Sequence, residues 1–276
     1  MSKPYAVVGA TGGQGGAVVD ALLGRGMPVR ALARRLSSRT AQLEERGVEI
    51  AVADITDVSA TADAFAGTAG VFAMTTPFED GPDAEVAQGR ALVDAMTSAN
   101  VPHVVFSSVA DADRNTGIPH FETKADTEKV LRASGVPFTI VGPTYFYDNA
   151  LGGIDAIKRG RLDLPLPVDT PLQQMSRRDL GRFVALAFSD SARFRGLRID
   201  LASDDPTPTQ MAAALSSHFD VPVAAHSYDA ASISSPDMRA MFQFLTDTGY
   251  DANIDGLRSD YPEVGWQSFG DWLAEL

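Results

Sequence analysis

The chain has 276 residues, 45% hydrophobic and 21% charged, an ordinary balance for a globular protein long enough to bury one large α/β core. Its formal net charge of -13 argues against binding to nucleic acid or an anionic membrane through a general basic field, while leaving room for local basic patches that hold phosphate. The absence of cysteine excludes disulfides, thiolate catalysis and cysteine-ligated metals, and His103, His120, His218 and His226 lack metal-ligand spacing.

The chain begins with MSKPYAVVG and enters its first predicted strand at once, which leaves no room for a signal peptide. No apolar run reaches the length of a membrane span, so a cytoplasmic location is expected by default. Residues 5–8 form an apolar run suited to a strand buried on both faces. Gly9, Gly12 and Gly15 follow three apart, ahead of a helical run over 17–23. The pattern then predicts a strand over 29–33, a helix capped by Ser37 or Ser38 that stops at Gly47, and a strand over 48–53. A helix ending near Phe65, a strand over 70–74, a longer helix over 83–99 and a strand over 103–107 come next. A polar loop, a helix over 121–134 and a strand over 138–141 complete the alternation. Strands and helices alternating through short loops predict an α/β fold, a Rossmann-like doubly wound parallel sheet with right-handed crossovers.

The rhythm changes beyond Gly142. Residues 162–175 read as irregular or a short hairpin, 197–201 as one more strand, and 179–188, 209–219, 236–248 and 268–276 as helices. With no linker in sight, the chain divides into a dinucleotide-binding part over 1–150 and a smaller substrate-side lobe over 151–276, continuous with it.

The residues with chemistry cluster at predicted strand ends. In the turn after the first strand, Gly9 lets the chain leave the strand sharply, Gly12 lets backbone N–H groups approach a pyrophosphate, and Gly15 lets the helix close on the sheet. The N-terminus of that helix supplies unpaired N–H groups and a partial positive charge for the anion. Arg34 and Arg35 follow the second strand, where an acid would bind ribose hydroxyls. Two guanidiniums instead suit a 2′-phosphate and so NADP, or else are simply solvated. Asp54 is placed to meet an adenine edge with Ile55 against the ring, the alternative being that Asp54 or Asp57 caps the next helix. Thr75, Thr76 and Pro77 end the fourth strand and Ser107 and Ser108 the fifth, all facing the crevice at the carboxyl edge of the sheet. In HFETK, a spacing of four puts His120 and Lys124 on one helical face, and histidine can exchange a proton near neutral pH.

Glycines spaced by threes are common in the short-chain dehydrogenase/reductase superfamily, whose usual members place a serine and a Tyr-x-x-x-Lys where this chain has Ser107 and HFETK. The chain resembles the NmrA-like branch of the atypical members. The resemblance rests on GATGGQGG (Gly9, Ala10, Thr11, Gly12, Gly13, Gln14, Gly15, Gly16), Arg34-Arg35, the 75–79 loop, HFETK, PTYFYDN at 143–149 and the LASDDPTPTQMAAAL segment. It implies a Rossmann fold binding NADP (NADPH), with Lys124 on the nicotinamide ribose and Tyr145, Phe146, Tyr147 and Asn149 flanking the nicotinamide. With Phe78 and Met74, Phe146, Tyr147 and Asn149 would wall an apolar pocket, or else belong to the core. The family holds NADPH-dependent reductases of quinones and enones, and regulators that bind dinucleotide and change protein partner with redox state. The absent tyrosine fits both. The leading expectation is an NADPH-dependent reductase of a small planar carbonyl or quinone, with Lys124 and His120 as catalytic residues and a monomeric or homodimeric state. The alternative is a non-enzymatic redox sensor with a protein partner.

Overall fold

The computed structural model describes residues 2–76 and 81–276. Its first half alternates as expected: β1 (Tyr5–Val8), α1 (Gly13–Gly24), β2 (Val29–Ala33), α2 (Ser38–Glu45), β3 (Glu49–Val52), α3 (Val58–Phe65), β4 (Gly70–Met74), α4 (Pro82–Ser98), β5 (Val104–Ser107), α5 (Pro119–Ala133) and β6 (Phe138–Pro143). There follow β7 (Tyr145–Phe146), α6 (Ile154–Ile157), β8 (Arg161–Leu164), β9 (Gln174–Met175), α7 (Arg177–Ser189), α8 (Ser191–Phe194) and β10 (Arg198–Leu201). The last elements are α9 (Pro208–Phe219), β11 (Ala224–Ser227), α10 (Pro236–Asp247), α11 (Ile254–Asp260) and α12 (Phe269–Leu273).

Seven strands form one parallel sheet in the order β10-β6-β5-β4-β1-β2-β3. Because successive strand residues point to opposite faces, Val7, Phe72, Val105 and Val141 pack under α1 and α7. Ala6, Val8, Val71, Ala73 and Phe106 meet the helices of the other side, through Phe65, Leu92, Met96 and Leu131. Strand order reverses between β1 and β4, so the carboxyl ends of these strands diverge and open a crevice. The turns after β1, β2, β3, β4 and β5 all lie on that edge.

The second half is knitted into the first. β10 continues the sheet beside β6, and α7 lies along α1 so closely that a Cβ on Gly181 would overlap Ala17 O. A third apolar cluster joins α9, α10 and α12 through Met211, Leu215, Phe242, Phe269 and Trp272. Two expectations need correction here. Of the two readings of 162–175, the hairpin is not formed: β8 pairs in parallel with β11 and β9 with β7, Leu162 and Leu164 turn into the third cluster, and 165–173 between them are irregular. Helix α1 begins at Gly13, four residues before the expected start, since Gly12 is its N-cap and Gly16 N donates to Gly12 O at 2.8 Å.

Candidate functional site

The turn from β1 into α1 is shaped by backbone approach. Gly9 has φ +69, a conformation costly to a side chain. A Cβ on Gly15 would overlap Gly9 O, and one on Gly12 would stand 3.3 Å from the same atom. Helix α1 has no side-chain cap and no acidic residue in its first turn. Its leading N–H groups therefore point outward without helical acceptors, around a cradle that only glycines leave open. Ala10 is buried beneath the turn and Thr11 is half-buried. Gln14 Oε1 accepts from Ser107 Oγ at 2.7 Å, tying the start of α1 to the end of β5.

A cleft of about 580 Å³ runs from this cradle along the ends of β1, β2 and β3, lined by Thr11, Gly12, Arg34, Asp54, Ile55 and Thr76, among others. Beyond it, Arg34, Arg35 and Arg39 surround an adjoining cavity of about 680 Å³ together with Ser37 and Ser38. Arg39 was not singled out by its sequence, but Ser37 caps α2 and so turns the helix's first residues to the same mouth. Asp54 Oδ1 accepts from Thr56 N at 2.9 Å and Thr56 Oγ1 at 2.7 Å, and these bonds hold its carboxyl below the usual range. Asp57, not Asp54, caps α3, accepting from Ala60 N at 3.0 Å.

On the other side of the cradle lies a second pocket of about 500 Å³. Tyr145, Phe146, Met238, Met241, Phe242 and Tyr250 give it an apolar wall, and Asn149, His120 and Lys124 polar points. Burial pushes the Tyr145 hydroxyl up to about 12. Tyr147 is core, not wall: it is fully buried against Phe269 and Trp272, its hydroxyl donating to Gln267 O at 3.0 Å. Pro77 and Phe78 lie outside the described residues.

Lys124 is buried, and three acceptors surround its ammonium: Thr75 O at 2.6 Å, Thr75 Oγ1 at 2.9 Å and Glu85 Oε1 at 2.8 Å. Glu85 is itself fully buried and also accepts from Thr75 Oγ1 at 2.8 Å and Thr123 Oγ1 at 2.5 Å. Burial lowers the lysine's pKa, and the charge of Glu85 opposes that shift. Gln88, one turn on, accepts from Thr76 N at 3.3 Å. The signal for Glu85 was in the sequence: it stands in register with buried Gln88, Gly89 and Leu92, an acid on the apolar stripe of α4. His120 Nδ1 lies 2.8 Å from Asp237 at the start of α10, and that carboxylate also accepts from His120 N at 2.9 Å. Nothing in the sequence links positions 120 and 237. The HFETK face is therefore assembled as expected, with His120 and Lys124 on one cavity, but each carries a carboxylate partner from elsewhere.

Among the described residues no group of histidine, aspartate and glutamate could hold a metal ion, and no helix is long and apolar enough to cross a membrane.

Among curated proteins, the chain is 30% identical over 161 residues to an NAD(P)H azoreductase of Xenophilus azovorans, a match covering 58% of this chain and 54% of that protein. It spans about half the length of the curated relatives it matches first. An Escherichia coli NADPH-dependent quinone oxidoreductase solved with NADPH superposes with a TM-score of 0.83 at 22% identity, covering 98% of this chain and 99% of that one. NmrA, a negative transcriptional regulator solved in complex with NADP, superposes at 0.82 and 22% identity, covering 100% and 95%. These likenesses establish the fold. The model of the NmrA-like family matches residues 1–273, and the chain belongs to that family.

Proposed function

We propose that the protein binds NADP(H) and reduces a small, planar quinone, enone or carbonyl compound with NADPH. One observation carries the reading: the cofactor-sized cleft and the apolar pocket share a wall, formed by Gly13, Gln14, Met74, Thr75 and Thr76. A dinucleotide laid along the cleft from the Arg34–Arg35 mouth ends where that pocket begins. The glycine cradle fits a pyrophosphate, since a side chain at Gly15 would close it. Ser107 and Asn149, with Tyr145 and Phe146, would border the nicotinamide.

NADPH supplies the hydride. The residues supply place and proton. The apolar wall excludes water and holds a flat ring by its faces. His120, paired through Nδ1 to Asp237, is the group that would deliver a proton to the reduced oxygen. Lys124 would hold the nicotinamide ribose, fix the end of β4 through Thr75 and help to position the reduced substrate oxygen, a contribution that rises in the transition state. Replacement by Lys124→Met should lower turnover far more than it weakens NADPH binding. Equal loss in both would reduce the lysine to a binding residue.

A second reading has an observation of its own. An ammonium has three donors, and Thr75 and Glu85 already provide three acceptors, as in a structural ion pair. In that reading the protein is a redox sensor that binds dinucleotide without turnover and passes its redox state to a protein partner.

A further inference from the structure

Helices α1 and α7 run side by side in the same direction. Ala17 lies against Gly181, and one turn earlier Gly13 lies against Arg177, whose guanidinium would be 2.5–2.7 Å from a Cβ on that glycine. Gly13 is the first residue of α1, so the guanidinium rests on the rim of the uncapped N–H cradle. It lines the apolar pocket and also an outer groove beside α1. Its plane is steadied by the Phe146 ring, 5.8 Å from the ring centroid. Its acidic partner is Asp148, with Nη1 to Oδ1 at 3.3 Å. That is longer than the roughly 2.7–2.9 Å of a strong charge-assisted bond, and one carboxylate does not use up five donors. The helix end and the guanidinium together make a cationic seat for a dianionic group that bridges them.

We infer that Arg177 clamps the cofactor's pyrophosphate, reaching from the second half of the chain over the N-terminus of α1. The inference rests on the dinucleotide reading above. It gives the pyrophosphate a side-chain cation that the glycine motif does not contain, and it sets that contact apart from the Arg34–Arg35 mouth, which would meet the 2′-phosphate.

The two contacts separate by ligand. Calorimetric titration of wild type and Arg177→Ala with NADPH, NADH and 2′-AMP reads binding directly. The variant should lose about tenfold to a hundredfold in affinity for both dinucleotides, the scale of one charged hydrogen bond. It should keep wild-type affinity for 2′-AMP, which has no pyrophosphate. Because the Arg177 side chain is 37% exposed, the variant should melt as the wild type does. Unchanged NADPH affinity in Arg177→Ala overturns the clamp, as does an equal loss for 2′-AMP, which would mark a diffuse charge effect. A wild-type protein that binds neither dinucleotide overturns the dinucleotide reading, and the clamp with it.

Discussion

Arg34 and Arg35 leave β2 where a carboxylate would repel a phosphate, and Arg39 adds a third guanidinium to the same cavity. Each charged hydrogen bond to phosphate contributes on the order of 1.5–3 kcal/mol. Replacing Arg34 and Arg35 by alanine should therefore weaken NADPH about tenfold to a hundredfold and leave NADH nearly unchanged, as read by equilibrium binding. A wild-type preference for NADH would contradict the assignment. Asp111 poses a different problem at the same scale. It is buried, with φ 60, and burial first, then the charge of Asp200, raise its carboxyl to about 6 against the pull of Arg114. The neighbouring Asp251 raises it further. The folded state then holds a proton that the unfolded chain releases, so stability falls as pH rises from about 4 to about 6. Asparagine tolerates the left-handed conformation. Asp111→Asn should remove that fall, worth on the order of 3 kcal/mol for a shift of two units; urea midpoints of both proteins across this range measure it. Parallel pH curves would contradict the assignment.

At the scale of elements, the turn from β1 into α1 concentrates the binding chemistry. Gly12→Val should abolish dinucleotide binding while the protein stays folded, because its side chain would crowd Gly9 O and cover the leading N–H groups of α1. Normal NADPH binding by a folded variant would mean that the turn does not cradle phosphate. The alternation from β1 to β6 was legible because buried parallel strands are short apolar runs punctuated by glycine and proline. Second-half pairings were less so. Ala224–Ser227 reads AAHS and has no alternation, so β11 leaves no trace in the sequence, and its partner β8 falls in a stretch that reads as irregular or a short hairpin. Helix α11, with a glycine among seven residues, is too short for a period. The site follows the same rule. Residues on one element, such as the glycine turn or His120 and Lys124, were readable by spacing. Glu85 is marked by its place on a buried helical stripe, whereas Asp237 and Arg177 reach the site by tertiary packing, which spacing does not encode.

At the scale of the whole molecule, two cavities meet across one crevice. The first half offers the cradle, the arginine mouth and the Lys124–Glu85 pair, and the second half supplies Arg177, Asp237 and most of the apolar wall. With β10 in the central sheet and α7 along α1, the halves are braced together, so a cofactor held in the cleft would face a pocket already formed. In the proposed reductase the His120–Asp237 pair would be the proton donor. If so, His120→Ala should cost about 10²–10⁴-fold in rate with little change in NADPH affinity. The most direct measurement is NADPH oxidation by the wild-type protein across a panel of quinones and enones, beside a control with cofactor alone. Substrate-dependent oxidation well above that control is expected for at least one planar acceptor. A protein that binds NADPH but leaves it unoxidised across the whole panel would contradict the reductase reading.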